Sequence, residues 1–205
     1  MTSSRKTCIF VLIATSILGT CFILARNNQV VINRIFTQSI PHSIGDKLDS
    51  FNGVYIYYNG SIEHVLERNT TKDGYNIGLK YQCVEFVKRY YYEYYHHKMP
   101  NSYGHAKDFF NKALSDGSLN KSRNLRQFTN PSSTKPRIGD ILVFDGHSFN
   151  PYGHVAIISA VSNETIEIVQ QNPGPTAPSR EILSLTQSGG QFHLEDGLGW
   201  LGKRN

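Results

Sequence analysis

Hydrophobic and polar positions along this chain fall into blocks of different period. Cys8 to Ala25 is an uncharged stretch, preceded by Arg5 and Lys6 and closed by Arg26. As a helix it spans roughly 27 Å at about 1.5 Å per residue, close to the thickness of a bilayer core. The pattern predicts an uncleaved signal anchor over residues 1–26, with its basic end in the cytoplasm and everything after it outside. Two alternatives stand beside it. One is secretion after cleavage near Ala25, although Ile23-Leu24-Ala25 lacks a small first residue; the other is lipidation of Cys21 in Leu18-Gly19-Thr20-Cys21. Residues 27–49 read as a polar connector, and residues 50–205 as one domain.

Inside the domain, Val54 to Tyr58 lies between Asn52-Gly53 and Asn59-Gly60, a short strand between turns. Residues 67–78 read as loop. From Cys83 to His97 the period becomes helical. Phe86, Val87, Tyr90, Tyr91 and Tyr94 recur on one side, with Glu85, Lys88, Arg89 and Glu93 opposite. The tyrosines at that spacing read as core, not as a sugar-stacking face. A second short helix is expected over Ala106–Leu114, followed by a long loop over 115–137. Strands are expected at Ile141–Phe144, His154–Val161 and Ile166–Asn172, then a Pro/Gly/Ser-rich return over 173–190 and a last strand within Gly197–Gly202. Helices followed by antiparallel strands give an α+β arrangement.

The formal charge of +5 falls to +3 once Arg5 and Lys6 are set aside. That is too small and too scattered to argue for nucleic acid. Lys88-Arg89 and Lys203-Arg204 read as solvated surface.

Cysteine usage changes the picture. Cys8 and Cys21 belong to the apolar stretch, so Cys83 is alone in the outer domain. A solitary thiol there is either a small buried hydrophobe or a retained reactive group. Its place at a helix start favours thiolate and offers free N–H groups to an oxyanion. Among eight histidines, His154 is the best base, because it opens a strand directly after the loop 145–153 and is held rigidly. His105 and His147 are less clearly placed. If the apolar faces of the two strands after the loop share a core, even residues oppose even ones. Pairing Ala160 with Ile166 then sets Ala156 against Gln170 and His154 against Asn172.

Tyr81-Gln82-Cys83-Val84-Glu85-Phe86, Tyr103-Gly104-His105-Ala106, Pro136 to Phe144 and Gly153-His154-Val155-Ala156-Ile157-Ile158 together resemble the CHAP domain. That family comprises cysteine, histidine-dependent amidohydrolases and peptidases. The likeness is greatest to amidase domains of the glutathionylspermidine synthetase/amidase type. The resemblance implies a papain-like (CHAP/NlpC-P60-like) core, with N-terminal helices packed on an antiparallel sheet. It implies Cys83 as nucleophile, His154 as base, and an oxyanion site at the Cys83 N–H with the Gln82 side chain. Where the family commonly has Glu-Gln-Asn, this chain has Gln170-Gln171-Asn172, so a neutral amide stands for the orienting carboxylate and Asn172 is retained. No metal and no cofactor is implied. The expected substrate is an amide in peptidoglycan or another peptide-like compound, cleaved outside the membrane. The alternatives are a glutathionylspermidine-type small-conjugate amidase and a catalytically weak wall-binding module.

Overall fold

The computed structural model describes residues 42–204 apart from 62, 175 and 176. The expected span Cys8–Ala25 lies outside them. No helix among the described residues is long and apolar enough to cross a membrane.

The domain is one α-helix, α1 (Cys83–Tyr95), laid on an eight-stranded antiparallel sheet. The sheet order is β11-β10-β9-β8-β7-β12-β6-β5. Its strands are β5 (Leu119–Asn120), β6 (Leu125–Thr129), β7 (Ile141–Phe144), β8 (His154–Val161), β9 (Thr165–Val169), β10 (Arg180–Ser188), β11 (Gln191–Leu194) and β12 (Gly199–Gly202). Two small hairpins flank it: β1 (Lys47–Phe51) with β2 (Val54–Tyr57), and β3 (Arg68–Thr70) with β4 (Asn76–Leu79).

Alternation along the central strands sends side chains to two cores. Ile141, Val143, Val155, Ile157 and Leu201 pack with Phe86, Val87, Tyr90 and Tyr91 of α1. Leu142, Ala156, Ile158, Ile166, Ile168 and Trp200 fill the other face. That second core closes because the sheet curls on itself: Ser132, after β6, exchanges backbone hydrogen bonds with Phe192 of β11.

Several expectations are corrected. The second helix is only a 3-10 turn, Lys107–Phe109, because the buried Gln127 side chain takes both the N–H and the carbonyl of Asn111 at 2.9 Å and pulls the chain straight. Residues 67–78 and 115–137 are not loops throughout; they contain β3–β4 and β5–β6. The return over 173–190 contains the nine-residue strand β10.

The polar side of α1 is not solvated either. Glu85, Lys88 and Arg89 are buried because they satisfy main-chain and amide groups of the layers around them. Lys88 donates to the carbonyls of Asn76 and Ser102, and burial pushes its pKa down to about 7. Arg89 bonds Glu85 at 2.7 Å and the Tyr55 carbonyl at 2.8 Å. His97, just past the end of α1, is buried with its Nε2 2.8 Å from the Arg123 carbonyl.

Candidate active site

Helix α1 starts where the backbone has just turned. Tyr81 has a φ of 61° and Gln82 is extended, with no side chain capping the first turn. The helix therefore opens with unclaimed N–H groups around Cys83. Cys83 is half-buried against the helix-side core. Beside it comes the start of β8, and the Val155 N–H, one residue after His154, faces the sulfur.

His154 is fixed from both sides. Its backbone pairs with Phe144 of β7, whose ring lies 5.9 Å from the imidazole. Gly153 sets that entry: at a φ of 74°, a Cβ there would meet the Phe144 carbonyl at 2.6 Å, so only glycine keeps the pairing undisturbed.

Gln170 settles the ring's protonation pattern. Its Nε2 donates to the Pro178 carbonyl at 3.2 Å and the Glu181 carboxylate at 3.3 Å. Both partners only accept, so the amide oxygen is the atom 3.0 Å from His154 Nε2. A carbonyl oxygen cannot donate. His154 Nε2 therefore carries the proton, and Nδ1 keeps its lone pair free to act as a base.

Asn172 goes elsewhere. The phase of the even register holds near the site, where Ile158 faces Ile168. A bulge at Ser159 then sets Ala160 against Glu167, and the ladder ends at Val169. At the bulge the Ser159 hydroxyl donates to the Glu167 carboxylate at 2.7 Å. Beyond Val169, Gln170 donates its N–H to Ser179, and Asn172 takes a φ of 54°. Asn172 Nδ2 then donates to the Gln82 side-chain oxygen at 2.8 Å, and Gln82 Nε2 donates to the His64 carbonyl at 2.8 Å. The structure thus joins His154 to Gln170 and Gln82 to Asn172, in two separate contacts.

Sequence reasoning passed over Gln171. It is fully buried and ties strand end to helix start: Nε2 donates to the Gln82 carbonyl at 3.0 Å and to Glu85 at 2.9 Å, while Oε1 accepts the Tyr57 N–H at 2.8 Å. Its place between two singled-out residues was the available signal.

Burial governs both titrating groups. It pushes the Cys83 thiol up to about 11, opposed only in part by the N–H groups of Val155, Val84 and Cys83 itself. It pulls His154 down to about 4, with the Gln170 hydrogen bond opposing. The resting pair at neutral pH is thiol and neutral imidazole, so the helix-start preference for thiolate is outweighed.

Next to Gln170 and Asn172 opens a cavity of about 360 Å³, lined also by Leu48, Tyr57, Tyr58 and Pro178.

Residues 72–172 match the family described as the CHAP domain, a span that holds every residue placed above from Cys83 to Asn172. The chain contains a CHAP domain. Glutathionylspermidine synthase of Crithidia fasciculata is 30% identical over 137 residues, 61% of this chain and 19% of the relative. The bifunctional glutathionylspermidine synthetase/amidase of Escherichia coli (strain K12) is 31% identical over 139 residues, 61% of this chain and 22% of the relative. The chain spans about a fifth of the length of these curated relatives. Among solved structures, the crystal structure of Ly7917 with the hydrolyzing product of MDP aligns at a TM-score of 0.39 and 21% identity, covering 60% of this chain and 54% of that one. Within the CHAP domain the glutamine at 170, where the family commonly has glutamate, stays hydrogen-bonded to the histidine.

Proposed function

We propose that the chain is a cysteine amidohydrolase or peptidase that cleaves an amide bond of peptidoglycan, held outside the membrane by residues 1–26. The observation that carries the chemistry is the His154–Gln170 contact, which leaves His154 Nδ1 unprotonated on the residue before Val155, whose N–H faces the Cys83 sulfur.

The reaction follows from those atoms. As the Cys83 sulfur attacks the amide carbonyl, His154 Nδ1 takes the thiol proton. The oxyanion faces the Cys83 N–H, and the Gln82 amide joins it by releasing the His64 carbonyl. Collapse breaks the C–N bond, and His154 returns the proton to the leaving amine. Water then attacks the thioester with its proton going to His154, and the thiol is restored as the acid leaves. No step needs a charged resting pair.

Support for a peptidoglycan substrate comes from the outward topology read from Arg5, Lys6 and the apolar stretch that follows. A second reading, hydrolysis of a small glutathionylspermidine-type conjugate, is favoured by 30–31% identity to relatives with that name. Mass spectrometry of purified sacculi and of glutathionylspermidine after incubation separates the two. New muropeptides support the first reading, and free glutathione with spermidine the second. No product from either substrate overturns the hydrolase in favour of a wall-binding module.

Gln170→Glu tests the histidine contact. A carboxylate beside the imidazole favours its charged form, so the His154 pKa rises from about 4. The neighbouring Glu181 repels the new charge and limits the rise to about one unit, or about 1.4 kcal/mol between protonation states. Because the neutral ring is the base, a raised pKa removes it at low pH. The acid limb of kcat/KM should therefore move upward by about one unit, with activity near pH 5 lowered more than activity near pH 8. An NMR titration of His154 that is the same in both proteins would break the assigned contact.

A further inference from the structure

Some cations on this surface have carboxylate partners: Lys80 with Glu67, Lys98 with Asp73, Lys112 with Asp145, and Arg180 with both Asp49 and Glu167. In one place four cations line a single hollow. Where β12 ends and β6 begins, Arg126, Arg137, Lys203 and Arg204 line a cavity of about 490 Å³ together with Thr134 and Phe128. Its Arg126 and Phe128 wall lies on the sheet face away from α1, since Phe128 and Trp200 point to the second core there.

Arg204 is built into the wall, correcting its reading as solvated surface. Its fork grips the buried Asp140 with Nη1 to Oδ1 at 2.7 Å and Nη2 to Oδ2 at 2.6 Å, and it lies 4.8 Å from the Phe128 ring centre. Gly202 permits this, because a Cβ there would collide with both the Asp140 carboxylate and the Arg204 guanidinium. Arg204 Nε is buried with no partner among the described residues.

Asp140 holds the Arg204 fork and also attracts Arg137, whose backbone N–H it accepts at 2.8 Å, so one carboxylate serves the four cations of the cavity. Among the described residues Arg126, Arg137 and Lys203 form no ion pair, and the Arg126 guanidinium reaches only the Gly117 carbonyl, at 3.4 Å. Three like charges around one hollow repel each other, and an anion between them removes that cost. The donors come from three chain segments: β6, the connector to β7, and the end of β12. A planar carboxylate is satisfied by one guanidinium fork, whereas tetrahedral oxyanions use forks, an ammonium and a hydroxyl from several sides. A water occupies about 30 Å³ of liquid, so the hollow has room for more than one phosphate group.

We propose that this cavity binds a ligand carrying two or more phosphate groups. It is separate from the chemistry at Cys83. Lys203 lies 5.7 Å from the ring of Tyr95, the last residue of α1, and the helix puts about 20 Å between that end and Cys83. Single-stranded nucleic acid is the less favoured ligand, because Phe128 is only 5% exposed and offers no face for a base to stack on.

The test is calorimetric titration of the full chain with inorganic pyrophosphate at about 0.1 M salt, where long-range attraction is largely screened. Saturable binding is expected, weakened at least tenfold in Arg126→Ala/Arg137→Ala and unchanged in Lys112→Ala. Both arginines are exposed, so the double variant should melt like the parent and label equally fast at Cys83. Should it fail to fold, Lys203→Ala alone is expected to weaken binding several-fold. The proposal is overturned by no saturation at millimolar pyrophosphate, by equal affinity in the cavity variants, or by equal binding of succinate. Binding of a single-stranded oligonucleotide without pyrophosphate binding overturns it in favour of nucleic acid.

Discussion

Replacing Cys83 with alanine is expected to abolish amide hydrolysis, by at least ~10³-fold, while the melting temperature stays within a few degrees of the parent. Removing a nucleophile that acts with its base costs about as much as removing both, since neither has a function alone. The fold should tolerate the change because Cys83 is half-buried at the start of α1 and its sulfur takes only a weak N–H contact from Val155 across to β8. Iodoacetamide gives a second readout. With the thiol pushed up to about 11, labelling of the native protein should be slow at pH 7 and quicken about tenfold per pH unit toward that value. Full activity in the alanine variant, or labelling that is flat with pH, would discard Cys83 as the attacking group.

The second large effect is on stability. Glu85 accepts from Arg89 Nε at 2.7 Å, from Asn69 at 2.9 Å and from Gln171 at 2.9 Å, with its side chain 2% exposed. Glu85→Ala leaves the Arg89 cation buried and takes the acceptor from two amides. Breaking one partner of a buried pair costs about 3–5 kcal/mol, a large share of the ~5–15 kcal/mol that holds a domain together. For a chain of this size that is a fall of roughly 6–20 °C in Tm. Glu85→Gln keeps the shape and one acceptor, so it should fall between. Thermal melts of the three proteins decide this, and a loss under about 1 kcal/mol for Glu85→Ala would mean the network is not under tension from burial. Activity should fall as well, because Gln171 also holds the Gln82 carbonyl just before the cysteine.

That network shows where pattern reading stops. The helix, β2, β7, β8, β9 and β12 were legible because their apolar positions keep a local period. Glu85, Lys88 and Arg89 look like an outer face by the same rule. Their partners are the carbonyls of Tyr55, Asn76 and Ser102 and the amide of Gln171, all distant in sequence. Strand β6 hid because one of its inward positions is the buried Gln127. In β10 only Leu183 and Leu185 point inward from a polar run that follows a proline-rich stretch. At the site, Cys83, His154 and Gln170 followed from helix start, strand start and strand phase. The departure of Asn172 did not, because the left-handed turn at that residue comes after the ladder has ended and no alternation constrains it.

The resting thiol has a consequence for resistance to oxidation. It is the thiolate that attacks peroxides and disulfides, and a group with a pKa pushed up to about 11 presents only about one thiolate in ~10⁴ molecules at pH 7. Cys83 has no thiol near it among the described residues to resolve a sulfenic acid, which leaves a thiolate there open to irreversible oxidation. Keeping the proton on the sulfur until a carbonyl arrives makes Cys83 a poor target for oxidants while His154 Nδ1 remains available to remove that proton during attack. The same burial that raises the barrier to ionisation would thus preserve the proposed nucleophile between turnovers.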